Sequence, residues 1–228
     1  MARRSIDLTL YLVTDTLLCG EFGVAATVEA AVGAGVTAVQ LRDPPAPDDE
    51  FVRLGRAVAS VLARTGVPLL VNDRVHLVEA IGAAGAHVGQ RDLDPVSARR
   101  ILGPDALLGL SVQTLEHVDA AARLDPGVID HLGVGPVWAQ STKLDAADPG
   151  GLDTLARIVR RSPWPCVAIG GIDARRAGQV RRTGAAGVAV VSAICGQPDP
   201  AAAARRIRAA WEGAAKEDPA AGTAAAAG

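Results

Sequence analysis

The sequence predicts a single-domain α/β protein whose strands close into a (β/α)8 TIM barrel. Three observations predict it. Short runs rich in Val, Leu and Ile alternate about eight times with longer stretches of helical periodicity, at a spacing of roughly 25 residues, which suits one βα pair. The strand runs are nearly continuously apolar, as strands buried on both faces of a parallel sheet must be. The first βα turn lacks the G-x-G-x-x-G of a dinucleotide-binding open sheet, so the unbroken rhythm favours closure over a doubly wound alternative.

In chain order, strands are expected at 8–14, 38–42, 68–73, 86–90, 107–112, 131–136, 166–171 and 187–194. Helical periodicity fills 25–32, 48–64, 75–83, a stretch from 95, then 115–123, 152–160, 174–182 and 200–211. Asp48 or Asp49 is available to cap the second helix, and Pro95 suits a first helical turn. Residues 1–212 are read as the barrel domain. Residues 213–228 are dominated by Ala and Gly, too poor in large apolar groups to offset their ordering entropy, and are read as a tail.

A chain of 228 residues that is 49% hydrophobic and 21% charged can bury a substantial core, which excludes disorder as its main description. A net charge of -2 removes any bulk electrostatic case for nucleic acid or an anionic membrane, and 3% aromatics leave little for base stacking. Cys19, Cys166 and Cys195 have no metal-ligand spacing, which suits a reduced cytoplasmic setting. Arg3 and Arg4 precede an apolar stretch ending Leu17-Leu18-Cys19-Gly20, as in a lipoprotein signal, but Asp7 and Asp15 interrupt the region that should be uncharged. The expected partners are small molecules, with no nucleic acid and no membrane. The oligomeric state is left open.

In such a barrel the reactive groups gather at the C-terminal strand ends. Polar residues recur there: Thr14 and Asp15, Gln40 and Arg42, Asn72 and Asp73, Gln90 and Asp92, Ser111 and Gln113, Thr142 and Lys143, then Ser192. Asp73 and Asp92 follow consecutive strands, where two hard carboxylates and a phosphate ligand suit Mg²⁺; equally, both precede helical segments and could be caps. Arg42 and Lys143 are cations able to hold phosphate oxygens, or else solvated surface charge. Gly170-Gly171 and Val191-Ser192 close the seventh and eighth strands, the customary phosphate cradle of this barrel, or else simply tight turns at its corners. His76, His87, His117 and His131 share no metal spacing and are read as surface or boundary residues. Trp138 either packs over a flat ligand or plugs the barrel mouth.

These segments, as an ordered set, resemble the thiamine phosphate synthase family. The stretches that carry the likeness are Leu10-Tyr11-Leu12-Val13-Thr14-Asp15, Gln40-Leu41-Arg42, Val71-Asn72-Asp73-Arg74 and Val88-Gly89-Gln90-Arg91-Asp92-Leu93. They continue with Gly109-Leu110-Ser111-Val112, Gly135-Pro136-Val137-Trp138, Ser141-Thr142-Lys143, Ile169-Gly170-Gly171-Ile172 and Val190-Val191-Ser192-Ala193-Ile194. The resemblance implies a transferase that joins a pyrimidine diphosphate to a thiazole phosphate and releases pyrophosphate. It also implies that Gln40, Arg42, Asn72 and Ser111 bind the pyrimidine substrate, Lys143 its pyrophosphate group, and Asp73 and Asp92 Mg²⁺. Thr142, Gly171, Val191 and Ser192 would receive the thiazole phosphate. Arg42, Lys143 and Ser111 would carry the catalysis.

The pattern departs at Pro44, where the family has a lysine expected to contact diphosphate, at Gln140 in place of a threonine, and at Gln113 in place of a histidine. Two alternatives stand beside it: a thiazole tautomerase-like isomerase of the related barrel family, needing an acid–base residue and no metal pair, against which Gln113 and the retained Asp73, Asp92 and Lys143 argue, or, prompted by Pro44 and Gln140, a phosphometabolite-binding barrel without turnover.

Overall fold

The structure, a computed structural model, describes residues 5–139 and 148–216. It is the expected closed barrel. Its strands are β1 (Leu10–Val13), β2 (Ala38–Leu41), β3 (Leu69–Asn72), β4 (Gly85–Val88), β5 (Leu107–Val112), β6 (His131–Val134), β7 (Cys166–Ile169) and β8 (Gly187–Val190). All pair in parallel in sequence order, and β8 closes on β1 with Leu12 opposite Val190.

Each strand is short and buried, so its two faces serve two cores. Leu10 and Leu12 of β1 face outward into the layer between strands and helices, with Val39, Leu41 and Val71. Tyr11 and Val13 alternate with them and face the barrel interior, beside Ala38, Leu70, Leu107, Val167 and Ala189. The interior is packed with side chains, and substrate chemistry is therefore confined to its rim.

The helices are α1 (Thr16–Cys19), α2 (Val24–Val32), α3 (Asp48–Leu62), α4 (Val78–Ile81), α5 (Pro95–Leu102), α6 (Leu115–Ala121), α7 (Gly151–Arg161), α8 (Ala174–Arg181) and α9 (Pro200–Lys216). Their starts follow from sequence: Asp94 accepts from the N–H groups of Val96 and Ser97 ahead of Pro95, and Asp173 does the same for Arg175 and Arg176.

Three expectations change. The helix expected over 75–83 is split into a 3-10 turn (Val75–Leu77) and the four-residue α4, stopped by Gly82 in the left-handed conformation (φ 77). Pro47, not Asp48 or Asp49, occupies the cap position of α3, and Asp48 turns its carboxylate to Arg74 and His76. Gly213, where a tail was expected to begin, lies within α9, which buries Trp211 and Ala214 and stacks Trp211 under Arg181 at 4.9 Å.

Candidate active site

The ends of β1 to β5 form one continuous arc of polar groups. At its start, the Thr14 hydroxyl accepts from the Arg42 N–H (3.0 Å), which ties the end of β2 to that of β1. The Arg42 guanidinium lies 3.8 Å from the Asp15 carboxylate, both only partly exposed. Gln40 sits deeper, 5% exposed, and its side-chain amide donates to the Tyr11 hydroxyl at 3.1 Å. Burial raises the Tyr11 phenol well above its ordinary value, the Gln40 bond offsetting a part, so this pair is a neutral floor to the site.

At β3 the Asn72 amide donates to Asp73 at 2.6 Å. Asp73 has φ 59, a left-handed backbone that non-glycine residues rarely adopt, and its N–H is held by the His87 carbonyl at 2.9 Å. Such strain persists where surrounding structure enforces it, and it gathers at functional sites. On the adjacent strand, β4, the turn after Val88 is closed by Asp92, whose Oδ2 accepts from the Gly89 N–H at 2.7 Å. Neither aspartate caps a helix: α5 is capped by Asp94, and the 3-10 turn begins after Arg74. The capping alternative is thereby removed for both. Two oxygen-donor carboxylates on neighbouring strand ends, each already anchored by an amide, are chemically suited to Mg²⁺, which needs only one or two such ligands beside substrate phosphate and water. Among the described residues no group of three or more His, Cys, Asp or Glu gathers as a metal cage.

Ser111 on β5 is gripped from two sides. Its hydroxyl meets His87 Nε2 at 2.9 Å, and its carbonyl accepts from the Gln90 side chain at 2.7 Å. The reading of the histidines as boundary residues fails here. His87 is 7% and His131 0% exposed, and their rings tilt together inside the barrel with centroids 5.5 Å apart. Glycines make the room: a Cβ on Gly109, between them in the sheet, would lie 2.3 Å from His87 and 2.4 Å from His131. Burial, then the neighbouring His87, pushes the His131 imidazole down to about 3, and neither ring nitrogen of His131 has a hydrogen-bond partner among the described residues. The signal was present: His87 shares with Gly85, and His131 with Gly133, the inward parity of strands that otherwise point apolar groups into the barrel.

On the far side of the mouth, Gly170 (φ 103) and Gly171 (φ 65) turn the chain after β7 under the loop that follows β6. A Cβ on Gly170 would meet Pro136 at 2.6 Å, so the two loops pack backbone to backbone and are joined by the bond from the Trp138 N–H to the Gly170 carbonyl (3.1 Å). Trp138 is stacked by the Arg176 guanidinium at 4.9 Å, so the ring is held in place at the mouth. Val191 and Ser192 begin a tight turn after β8, in which the Cys195 N–H reaches the Val191 carbonyl and Gln197 holds that of Ser192. Thr142 and Lys143, and Gln140 with them, lie outside the described residues.

A family model described as thiamine monophosphate synthase matches residues 10–194. The thiamine-phosphate synthase of Azorhizobium caulinodans is 48% identical over 202 residues, covering 89% of this chain and 94% of that one. That of Albidiferax ferrireducens is 45% identical over 201 residues, with 88% and 90% covered. Among solved structures, a thiamine phosphate pyrophosphorylase from Pyrococcus furiosus superposes with a TM-score of 0.81 at 32% identity, covering 91% of this chain and 97% of that one.

Proposed function

The chain belongs to the thiamine monophosphate synthase family, and from that membership we propose that it condenses 4-amino-2-methyl-5-(diphosphooxymethyl)pyrimidine with a thiazole phosphate, giving thiamine phosphate and pyrophosphate. The observation that carries the reading is the arc itself: Arg42, Asn72–Asp73, Asp92 and Ser111 stand on four consecutive strand ends of one mouth, in a family member matched along nearly its whole barrel.

The aminopyrimidine ring can delocalise positive charge from its exocyclic methylene, so the C–O bond to diphosphate can break before the thiazole nitrogen attacks. No covalent nucleophile or general base is then needed. The work left to the protein is to orient the ring and to stabilise the departing charge. Gln40 and Ser111, held by Tyr11 and by His87 with Gln90, would grip the pyrimidine. Arg42 and Lys143 would hold the leaving pyrophosphate, with Asn72 beside it. Gly171, Val191, Ser192 and Thr142 would seat the thiazole phosphate. Asp73 and Asp92 would hold Mg²⁺, which when bound neutralises phosphate oxygens. The isomerase alternative lacks support at its key position, since Gln113 has no proton to exchange near neutral pH.

The test is release of pyrophosphate by purified protein supplied with each substrate alone and with both, with and without Mg²⁺. Release is expected only from the complete mixture; none from saturating substrates and metal rejects the reading.

A further inference from the structure

Arg74 has no role in the scheme above, yet its guanidinium organises the loop that leads out of β2. One nitrogen, Nη2, lies within hydrogen-bond reach of the carbonyls of Asp43 (3.3 Å), Pro44 (2.9 Å) and Ala46 (2.6 Å), its two N–H groups shared among the three. The other, Nη1, reaches Asp48 at 3.0 Å, and the guanidinium lies over the Phe51 ring at 4.6 Å.

The loop needs this outside help for a reason visible in its sequence. Pro44, Pro45 and Pro47 have no backbone N–H, so in 43–47 only Asp43 and Ala46 can donate. The loop makes one internal backbone bond, a long one, from Ala46 to Asp43 at 3.4 Å. Its carbonyls therefore outnumber the backbone donors within the loop, and a planar five-donor group is suited to collect several of them at once. Arg74 also follows Asp73 directly. The same short segment thus carries a carboxylate of the mouth and the brace of the neighbouring loop, the one that begins at Arg42.

We propose that Arg74 is a positioning residue for the diphosphate arm of the substrate. By holding three carbonyls of the proline-locked loop it fixes the height of Arg42's segment against the Asp73 turn. The diphosphate then meets a preformed surface without having to order the loop itself. The proposal rests on the reading of the mouth as a pyrimidine-diphosphate site, and it makes a selective demand: losing the brace should weaken the diphosphate substrate and spare the thiazole phosphate, whose seat lies on β7 and β8.

The experiment compares wild type, Arg74→Ala and Arg74→Lys in steady state, with each substrate varied at saturation of the other, and repeats Arg74→Ala with millimolar guanidinium added. In Arg74→Ala, KM for the pyrimidine diphosphate is expected to rise about tenfold or more, the loss of one to two charge-assisted hydrogen bonds. KM for the thiazole phosphate should stay within about twofold, and added guanidinium should recover part of the loss, as in rescue of a deleted fork. Arg74→Lys should be intermediate, since one ammonium cannot sit under the three carbonyls as Nη2 does and also reach Asp48 as Nη1 does, and it decides the matter if the alanine variant does not fold. An unchanged KM for the diphosphate, or an equal rise in both KM values with no rescue, overturns the proposal. A wild type that turns over while the variants match it sinks this inference alone; a wild type that releases no pyrophosphate removes the functional reading and this inference with it.

Discussion

His131 is the residue whose environment makes the most definite demand. An imidazole wholly enclosed by the barrel, beside a second imidazole, cannot take up a proton until the pH approaches about 3, whereas in the unfolded chain it does so near its ordinary value of 6.5. The folded state therefore binds fewer protons between those values, and its stability must rise with pH across them. The contribution is complete above about pH 6.5 and is lost progressively as the pH falls toward 3. From pH 7 to pH 5 the loss should be ~2 kcal/mol, following 1.36 kcal/mol per pH unit below the unfolded value. Urea midpoints of wild type and His131→Leu at both pH values would show it: the wild type should lose ~2 kcal/mol more than the variant. Equal losses would mean that the ring is hydrated and titrates in the fold. Only the inward parity of His131 was legible in the sequence, where the residue otherwise looked like a strand boundary. Its burial depends on Gly109 leaving space in the neighbouring strand, as Gly133 of its own strand leaves space for His87, a property of register that spacing along one chain does not reveal.

At the scale of elements, the hydrophobic rhythm was enough to place all eight strands, because each is largely buried on both faces and so is mainly apolar, with Gln40, Asn72, His87, Ser111 and His131 as the polar exceptions. Turn chemistry was less legible. The region after β3 reads as one helix by periodicity, but Gly82 ends it early, and the carboxylate expected to cap α3 is committed to Arg74. The joints below the barrel were also invisible. Arg99 of α5 meets Asp130, just before β6, at 2.7 Å, with side chains only 12% and 8% exposed. Arg99 also donates to the carbonyls of Val128, Gly103 and Ala106, while Asp130 accepts from the Leu108 N–H. The pair thus pins a helix to two strands on the face opposite the mouth. Arg99→Ala would leave Asp130 without its buried counter-charge, which typically costs ~3–5 kcal/mol. Denaturant unfolding should register that loss while KM for both substrates holds at 25 °C; a change under ~1 kcal/mol would mean that water solvates the pair.

For the molecule as a whole, the mouth is assembled from strand ends that are far apart in sequence but neighbours in the sheet. The loop after β2 is joined to the segment after β3 by the Arg74 side chain, and the Asp73 N–H is held in turn by the backbone carbonyl of His87 in β4. A ligand that engages Arg42, Asp73 and Asp92 together would join three segments of one closed, cooperative sheet. It would then stabilise the entire fold, not one loop. With a net charge of only -2, an attraction for an anion would have to be local, and on the proposed reading Arg42 and a cation held by Asp73 and Asp92 would set it rather than the field of the whole surface. Magnesium pyrophosphate, the product pair, is the simplest probe. At 100 times its Kd it should add ~2.7 kcal/mol, which for a chain of this size is a rise of roughly 5–10 °C in Tm. Pyrophosphate with a chelator should give a small fraction of that shift, because the carboxylates then repel the anion they would otherwise hold through the metal. Asp92→Ala should shift the Mg²⁺ dependence of the rise to higher concentration, while leaving the ligand-free Tm within a few degrees. Equal protection by pyrophosphate with and without metal, in both proteins, would separate Asp73 and Asp92 from the anion and leave Arg42 as its principal anchor on this arc.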